Sequence, residues 1–183
     1  MRAKWLSLVC LAGLAAACGK GEAIFNVDVY SFIKGTGQDT VPYLIPPSTP
    51  SIDTGSVPQK INLPGVGSSI VDSIKILGTL DLHNQSGTGT IGLQLFMASD
   101  SIGTYNPSAA VLTVTPKTVS GTAVIPDTVQ GTLLSSADTL FTKAQVWVRV
   151  AAEGSNADPV NPVIGKMVLT SLLLSVFIND KIF

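Results

Sequence analysis

Residues Ile70–Ala98 read IVDSIKILGTLDLHNQSGTGTIGLQLFMA. Ile70, Ile74, Ile76, Leu80 and Leu82 share one face, interrupted near its start by Asp72, while Ser73, Lys75, Thr79 and Asp81 point the other way. After His83-Asn84-Gln85-Ser86-Gly87 the alternation resumes over Thr90–Ala98, with Ile91, Leu93, Leu95 and Met97 inward. A period of two over runs this long describes strands with one buried and one wet face. The Gly- and Asn-containing joint predicts that the two runs pair as a hairpin at the centre of the fold. Gly87, Gly89 and Gly92 match the G-x-G-x-x-G spacing, but that motif holds a pyrophosphate only where it opens a helix. Here it opens a strand, so nucleotide binding is excluded.

The flanking sequence extends the pattern. Upstream, Phe25, Val27, Val29 and Ile33 predict a strand over Ala23–Lys34. Residues 35–56 carry Pro42, Pro46, Pro47 and Pro50 and read as a long loop. Within it, Tyr43-Leu44-Ile45 is an apolar triplet suited to an arm packed across the domain or to a partner contact. Val57–Leu63 predicts a short strand ending in the Pro64-Gly65-Val66-Gly67 turn. Downstream, Ala110–Thr115 and Val119–Ile125 read as a second hairpin turning at Pro116-Lys117. Ser135–Phe141 is the one helical candidate, with a serine at its N-cap position.

Ala144–Ala152 alternates, Val146, Val148 and Val150 inward and Gln145, Trp147 and Arg149 outward. Trp147 and Arg149 suit either a cation–π pair open to a partner or packing under a loop. Met167–Ile178 is apolar on both faces, Phe177 included, and reads as a strand covered on both sides, by a loop or by another protein. Eight or nine strands at short spacing, with no helical interludes, predict an all-β chain. The expected architecture is a two-sheet antiparallel β-sandwich of immunoglobulin-like type, a small barrel being the alternative.

The first residues address the chain. Arg2 and Lys4 precede an apolar or small run from Trp5 to Ala17, too short to span a bilayer as a helix and organised as a secretory leader. Leu14-Ala15-Ala16-Ala17-Cys18 resembles the lipobox of bacterial lipoproteins, departing from it at Ala15, where the family prefers Leu. The resemblance implies removal of residues 1–17, diacylglycerol and acyl groups on Cys18, and an extracytoplasmic, membrane-anchored domain. Two or three acyl chains hold firmly where one does not. Gly19-Lys20-Gly21-Glu22 follow as a tether, leaving one domain over 23–183. Gly19 in place of Asp favours, by resemblance to the enterobacterial sorting rule, the outer membrane over the periplasmic face of the inner one.

Composition narrows function by exclusion. Without Arg2 and Lys4, the 11 Lys and Arg fall to 9 against 12 Asp and Glu, a net charge of −3 that argues against nucleic-acid binding. Cys10 leaves with the leader and Cys18 would be acylated, so no disulfide is expected. The single histidine, His83, falls in the expected turn, and Glu22 and Glu153 are isolated in sequence. G-x-S-x-G and H-E-x-x-H are missing. Asp158 and Asn161 could contribute to a calcium site, but six or more oxygens are needed and no D-x-D ladder supplies them. No enzyme, metal or cofactor is expected. The remaining classes are a lipid-anchored structural or interaction module docking onto an envelope complex, and a surface domain recognising a glycan or peptide. Tyr43, Leu44, Ile45, Trp147, Arg149 and Phe177 are the candidate contacts.

Overall fold

The computed structural model describes residues 21–63, 70–134, 140 and 143–180. The leader, Cys18, the Pro64–Gly67 turn and all of the Ser135–Phe141 candidate except Leu140 lie outside them. Among the described residues there are eleven strands: β1 Gly21–Asp28, β2 Thr40–Ile45, β3 Thr49–Gly55, β4 Gln59–Asn62, β5 Ile70–Ser86, β6 Thr88–Ala98, β7 Ala110–Thr113, β8 Lys117–Ser120, β9 Ala123–Leu134, β10 Gln145–Asn156 and β11 Val163–Asp180. Helix α1 Val29–Gly35 joins β1 to β2, and 3₁₀ turns at Gly103–Tyr105 and Pro107–Ala109 precede β7. The first sheet runs β1-β11-β5-β9, with β2 also on β11; the second runs β3-β10-β6-β7, with β4 also on β10 and β8 also on β6. All pairs are antiparallel. The two-sheet antiparallel sandwich read from the sequence is therefore the architecture, and it is not closed into a barrel.

The connectivity differs from the immunoglobulin type. With β3 and β4, and β7 and β8, each counted as one interrupted strand, the chain passes between the sheets from β2 to β3, β4 to β5, β5 to β6, β8 to β9, β9 to β10 and β10 to β11. That alternation is a jelly roll. The expected Ile70–Ala98 hairpin does not form, because β5 and β6 lie in opposite sheets. Gly87, at φ +79°, turns the chain over so that the apolar face of one strand lies on that of the other. Ile74, Ile76, Leu80 and Leu82 thus meet the same core as Ile91, Leu93, Leu95 and Met97, all buried. Alternation specifies which side is buried and is the same in either arrangement.

Four further expectations are corrected. The first strand stops at Asp28, whose carboxylate accepts the Ser31 N–H at 3.2 Å and caps α1; buried Val29 and Ile33 are then helical neighbours. Residues 35–56 contain β2 and β3 instead of one loop, because their prolines fall on edge strands and at the corner between sheets, where a missing N–H costs little. The second hairpin is absent: β7 and β8 both lie along β6, and β9 runs straight through Pro126 on the edge of the first sheet.

The fourth correction concerns β11. Its partners shift register between Leu169 and Ser171, so Thr170 is an extra residue that exchanges the faces. Met167 and Leu169 before the bulge, and Leu172, Leu174, Val176 and Ile178 after it, all enter one core. The Thr79 hydroxyl hydrogen-bonds the hydroxyls of Thr170 at 2.8 Å and Ser171 at 2.7 Å, pinning the bulge. The two-faced apolar run is one buried face interrupted by a bulge.

Candidate functional site

The outer face of the second sheet carries a groove of about 240 Å³. Three strands build it by register. Arg149 on β10 stands opposite Phe96 on β6; Ala151 lies between Gln94 and Gly55; Glu153 stands opposite Asp53 on β3. Gly55 and Ala151 are small, so the middle row is low beyond Gln94, and the Arg149 guanidinium takes the space over Gly55. The 3₁₀ turns supply a further wall through Tyr105 and Pro107, and Ser51 and Ala110 complete it.

Arg149 is the centre of this arrangement. The residue is 5% exposed. Its Nε–H donates to the Thr104 carbonyl at 3.1 Å, and Nη2 donates to Asp53 Oδ2 at 3.4 Å. The guanidinium carbon lies 4.2 Å from the ring centre of Phe96 and 5.0 Å from that of Tyr105, within cation–π range of both. A Cβ on residue 55 would collide with Nη1, so the glycine makes the space for the guanidinium. Among the described residues Nη1 has no hydrogen-bond acceptor. The Asp53 side chain is 41% exposed, and an ion pair so open and so long contributes little. The carbonyl and the two rings hold the cation.

The carboxylates add an unusual feature. Asp53 and Glu153 are directly opposed across β3 and β10, a placement that like charges disfavour. Each is steadied by a donor, Asp53 by Arg149 and Glu153 Oε2 by Gln94 Nε2 at 2.8 Å. Glu153 is isolated in sequence, and only the register brings it to Asp53. Asp53, Gln94 and Tyr105 carried no signal in the sequence that set them apart.

The residues expected to contact a partner separate. Tyr43 and Ile45 belong to the core, Tyr43 donating its hydroxyl to Asn84 Oδ1 at 3.3 Å, while Leu44 between them is 58% exposed. Burial pushes the Tyr43 hydroxyl up to about 12. In an edge strand with one buried side the middle residue of such a triplet must face out. Arg149 packs under a loop, the 3₁₀ turn Gly103–Tyr105, as one of its two expected readings had it, and its aromatic partners are Phe96 and Tyr105 rather than Trp147. Trp147 is half-buried on the same outer face, paired with Ala98 and Lys60.

Phe177 is half-buried on the outer face of the first sheet, with Lys75 Nζ 5.0 Å from its ring centre. Exposed Ile24, Leu77 and Leu173 lie near it on that face. His83 is in mid-strand on β5, outside the expected turn. Asp158 uses its oxygens within its own loop. The Asn161 and Val160 N–H groups and the Asn161 amide donate to it and hold its carboxyl below the usual range. Among the described residues no cluster of three His, Cys, Asp or Glu side chains forms a metal site.

No family model matches the chain, and no curated protein matches it. Among solved structures, the infectious bursal disease virus Gx strain structure is similar at 12% identity and a TM-score of 0.42 over 89% of this chain and 33% of the viral one. The subviral particle of that virus's VP2 aligns at 7% identity and a TM-score of 0.39, covering 86% of this chain and 40% of the other. A structure described as "CBM4 structure and function" aligns at 16% identity and a TM-score of 0.37, covering 79% of this chain and 99% of its own. The chain thus spans well under half of the viral proteins.

Proposed function

We propose that the chain is a lipid-anchored extracytoplasmic interaction module that acts by binding rather than by catalysis. Cys18 carries the lipid, the outer membrane is the favoured location, and the sandwich presents its second sheet to a ligand. The observation that carries this reading is the buried guanidinium of Arg149, set beside two opposed carboxylates in a groove. Burying a cation and opposing two anions both cost stability, and the core has no use for either. A ligand that completes the hydrogen bonding gives the arrangement a purpose.

A second reading, docking onto a protein of an envelope complex, draws on exposed Ile24, Leu77 and Leu173 beside Phe177. Ile24 is six residues after Cys18 in sequence, and β1, which contains it, takes in Gly21 and Glu22 of the expected tether.

Native protein is expected in the membrane fraction with an acylated Cys18 by mass spectrometry, and Cys18→Ser in the soluble fraction. An unmodified thiol in native material would remove the anchor from the proposal. Photocrosslinkers placed at Leu77 and at Tyr105 separate the two readings. A single protein adduct at Leu77 supports docking, and protection of Tyr105 by a bound ligand supports the groove.

A further inference from the structure

Resting on the reading of the chain as a binding module, we propose that the groove on the second sheet binds a neutral glycan, one sugar unit seated between Tyr105 and the Asp53–Glu153 pair. Tyr105 is 59% exposed although Arg149 covers part of its ring, so an apolar surface remains available to a ligand. Sugar rings offer C–H faces that suit such a surface, and hydroxyls that both donate and accept.

The groove holds both complements. Asp53 and Glu153 each keep a carboxylate oxygen with lone pairs beyond the bonds described, Ser51 adds a hydroxyl, and Arg149, 94% buried as a side chain, has no acceptor for Nη1 among the described residues. Neighbouring hydroxyls can donate to the carboxylates and accept from the guanidinium, and hydrogen bonds to charged groups are the stronger kind.

Charge and size select within that chemistry. Two carboxylates against one guanidinium leave the groove with one net negative charge, which opposes phosphorylated or acidic sugars. The same charge would favour a cationic peptide, so a lysine-rich peptide is the competing ligand that the test must exclude. About 240 Å³ is below the ~300–1,000 Å³ of drug-sized ligand sites and suits a monosaccharide unit with its chain continuing over the surface.

The mature chain has a reporter in place. The protein has two tryptophans, Trp5 in the leader and Trp147 on the strand that carries Arg149 and Glu153. Soluble Cys18→Ser protein starting at residue 18 is titrated with cellohexaose, laminarihexaose, maltohexaose and hexa-N-acetylchitohexaose. Trp147 emission and amide chemical shifts are followed, with oligogalacturonate and a lysine-rich peptide as charged probes. Saturable shifts are expected with at least one neutral probe. That affinity should fall about tenfold or more in Asp53→Asn, Glu153→Gln and Tyr105→Ala, each keeping the parent's circular dichroism.

Silence across the neutral probes, tighter binding of either charged probe, or neutral binding that the three variants leave unchanged would overturn the proposal. Because the titration needs no lipid, these results are independent of the anchor. If native-membrane crosslinking at Tyr105 captures a partner while the neutral probes stay silent, the glycan assignment falls and the binding-module reading stands.

Discussion

Gly55 shows what a single side chain can decide. It leaves the space in which the Arg149 guanidinium lies between Phe96 and Tyr105, and a Cβ there would meet the far end of a long side chain rather than backbone. Gly55→Ala should therefore displace the guanidinium and cost about 1–2 kcal/mol in thermal unfolding, with a changed Trp147 emission. Arg149→Met tests whether the cation is structural. Since apolar replacement of a buried charge of similar volume is often neutral or stabilising, and Asp53 stays solvated, the urea midpoint should hold or rise. A loss of about 3 kcal/mol would instead mark Arg149 as a structural staple.

Tyr43 gives a pH signature. Its hydroxyl is raised from 10.0 to about 12 by burial, so the stability that the neutral form confers is complete below pH ~10 and is lost as pH rises through the folded value. Absorbance titration should show a late step, coupled to unfolding, that is missing in Tyr43→Phe. At this scale the sequence was a poor guide. Arg149 occupies an outward position as its parity requires, yet the 3₁₀ turn that covers it is remote in sequence, and alternation cannot report burial by a loop.

Elements were more legible, and their limits have identifiable causes. The runs behind β5, β6, β10 and β11 were visible because each buries one face. Their pairing was not, since a hairpin and a crossing between sheets need the same alternation. What marks the crossings is polar. The Asn84 amide, at the end of β5, reaches the Ser86, Gly87 and Gly121 carbonyls at 3.3, 3.1 and 2.6 Å. The Asn156 amide, at the end of β10, reaches those of Ile45, Pro46 and Asn161 at 3.3, 3.1 and 2.8 Å. Both asparagines are buried, so Asn84→Ala or Asn156→Ala removes three hydrogen bonds donated from a buried amide to carbonyls of the crossing. Each should cost about 2–3 kcal/mol by urea denaturation, and a loss under 0.5 kcal/mol would deny them this role. The bulge at Thr170 has a similar dependence. A Cβ on Gly78 would stand 2.5 Å from the Ser171 carbonyl oxygen, which is why a residue of low strand propensity occupies the middle of β5.

Over the whole molecule, the all-β class and the two-layer architecture followed from strand number and spacing, whereas the jelly-roll order depends on which sheet each strand joins. The shared core makes the chain one cooperative body. Ile76, fully buried on β5, should lose about 2–5 kcal/mol on substitution by Ala, seen as one transition by both far-ultraviolet circular dichroism and Trp147 emission. The order of assembly is also constrained. β11, the last strand described, pairs with β1, β2 and β5, so the first sheet has no centre until its residues are present, and a chain lacking 163–180 should show no cooperative transition at all. Were the chain exported as proposed, N-terminus first through a translocation channel, it would stay open until residues 163–180 had passed. Slow, late closure of this kind keeps a precursor thin enough to cross, and leaves its greasy segments in need of an escort meanwhile.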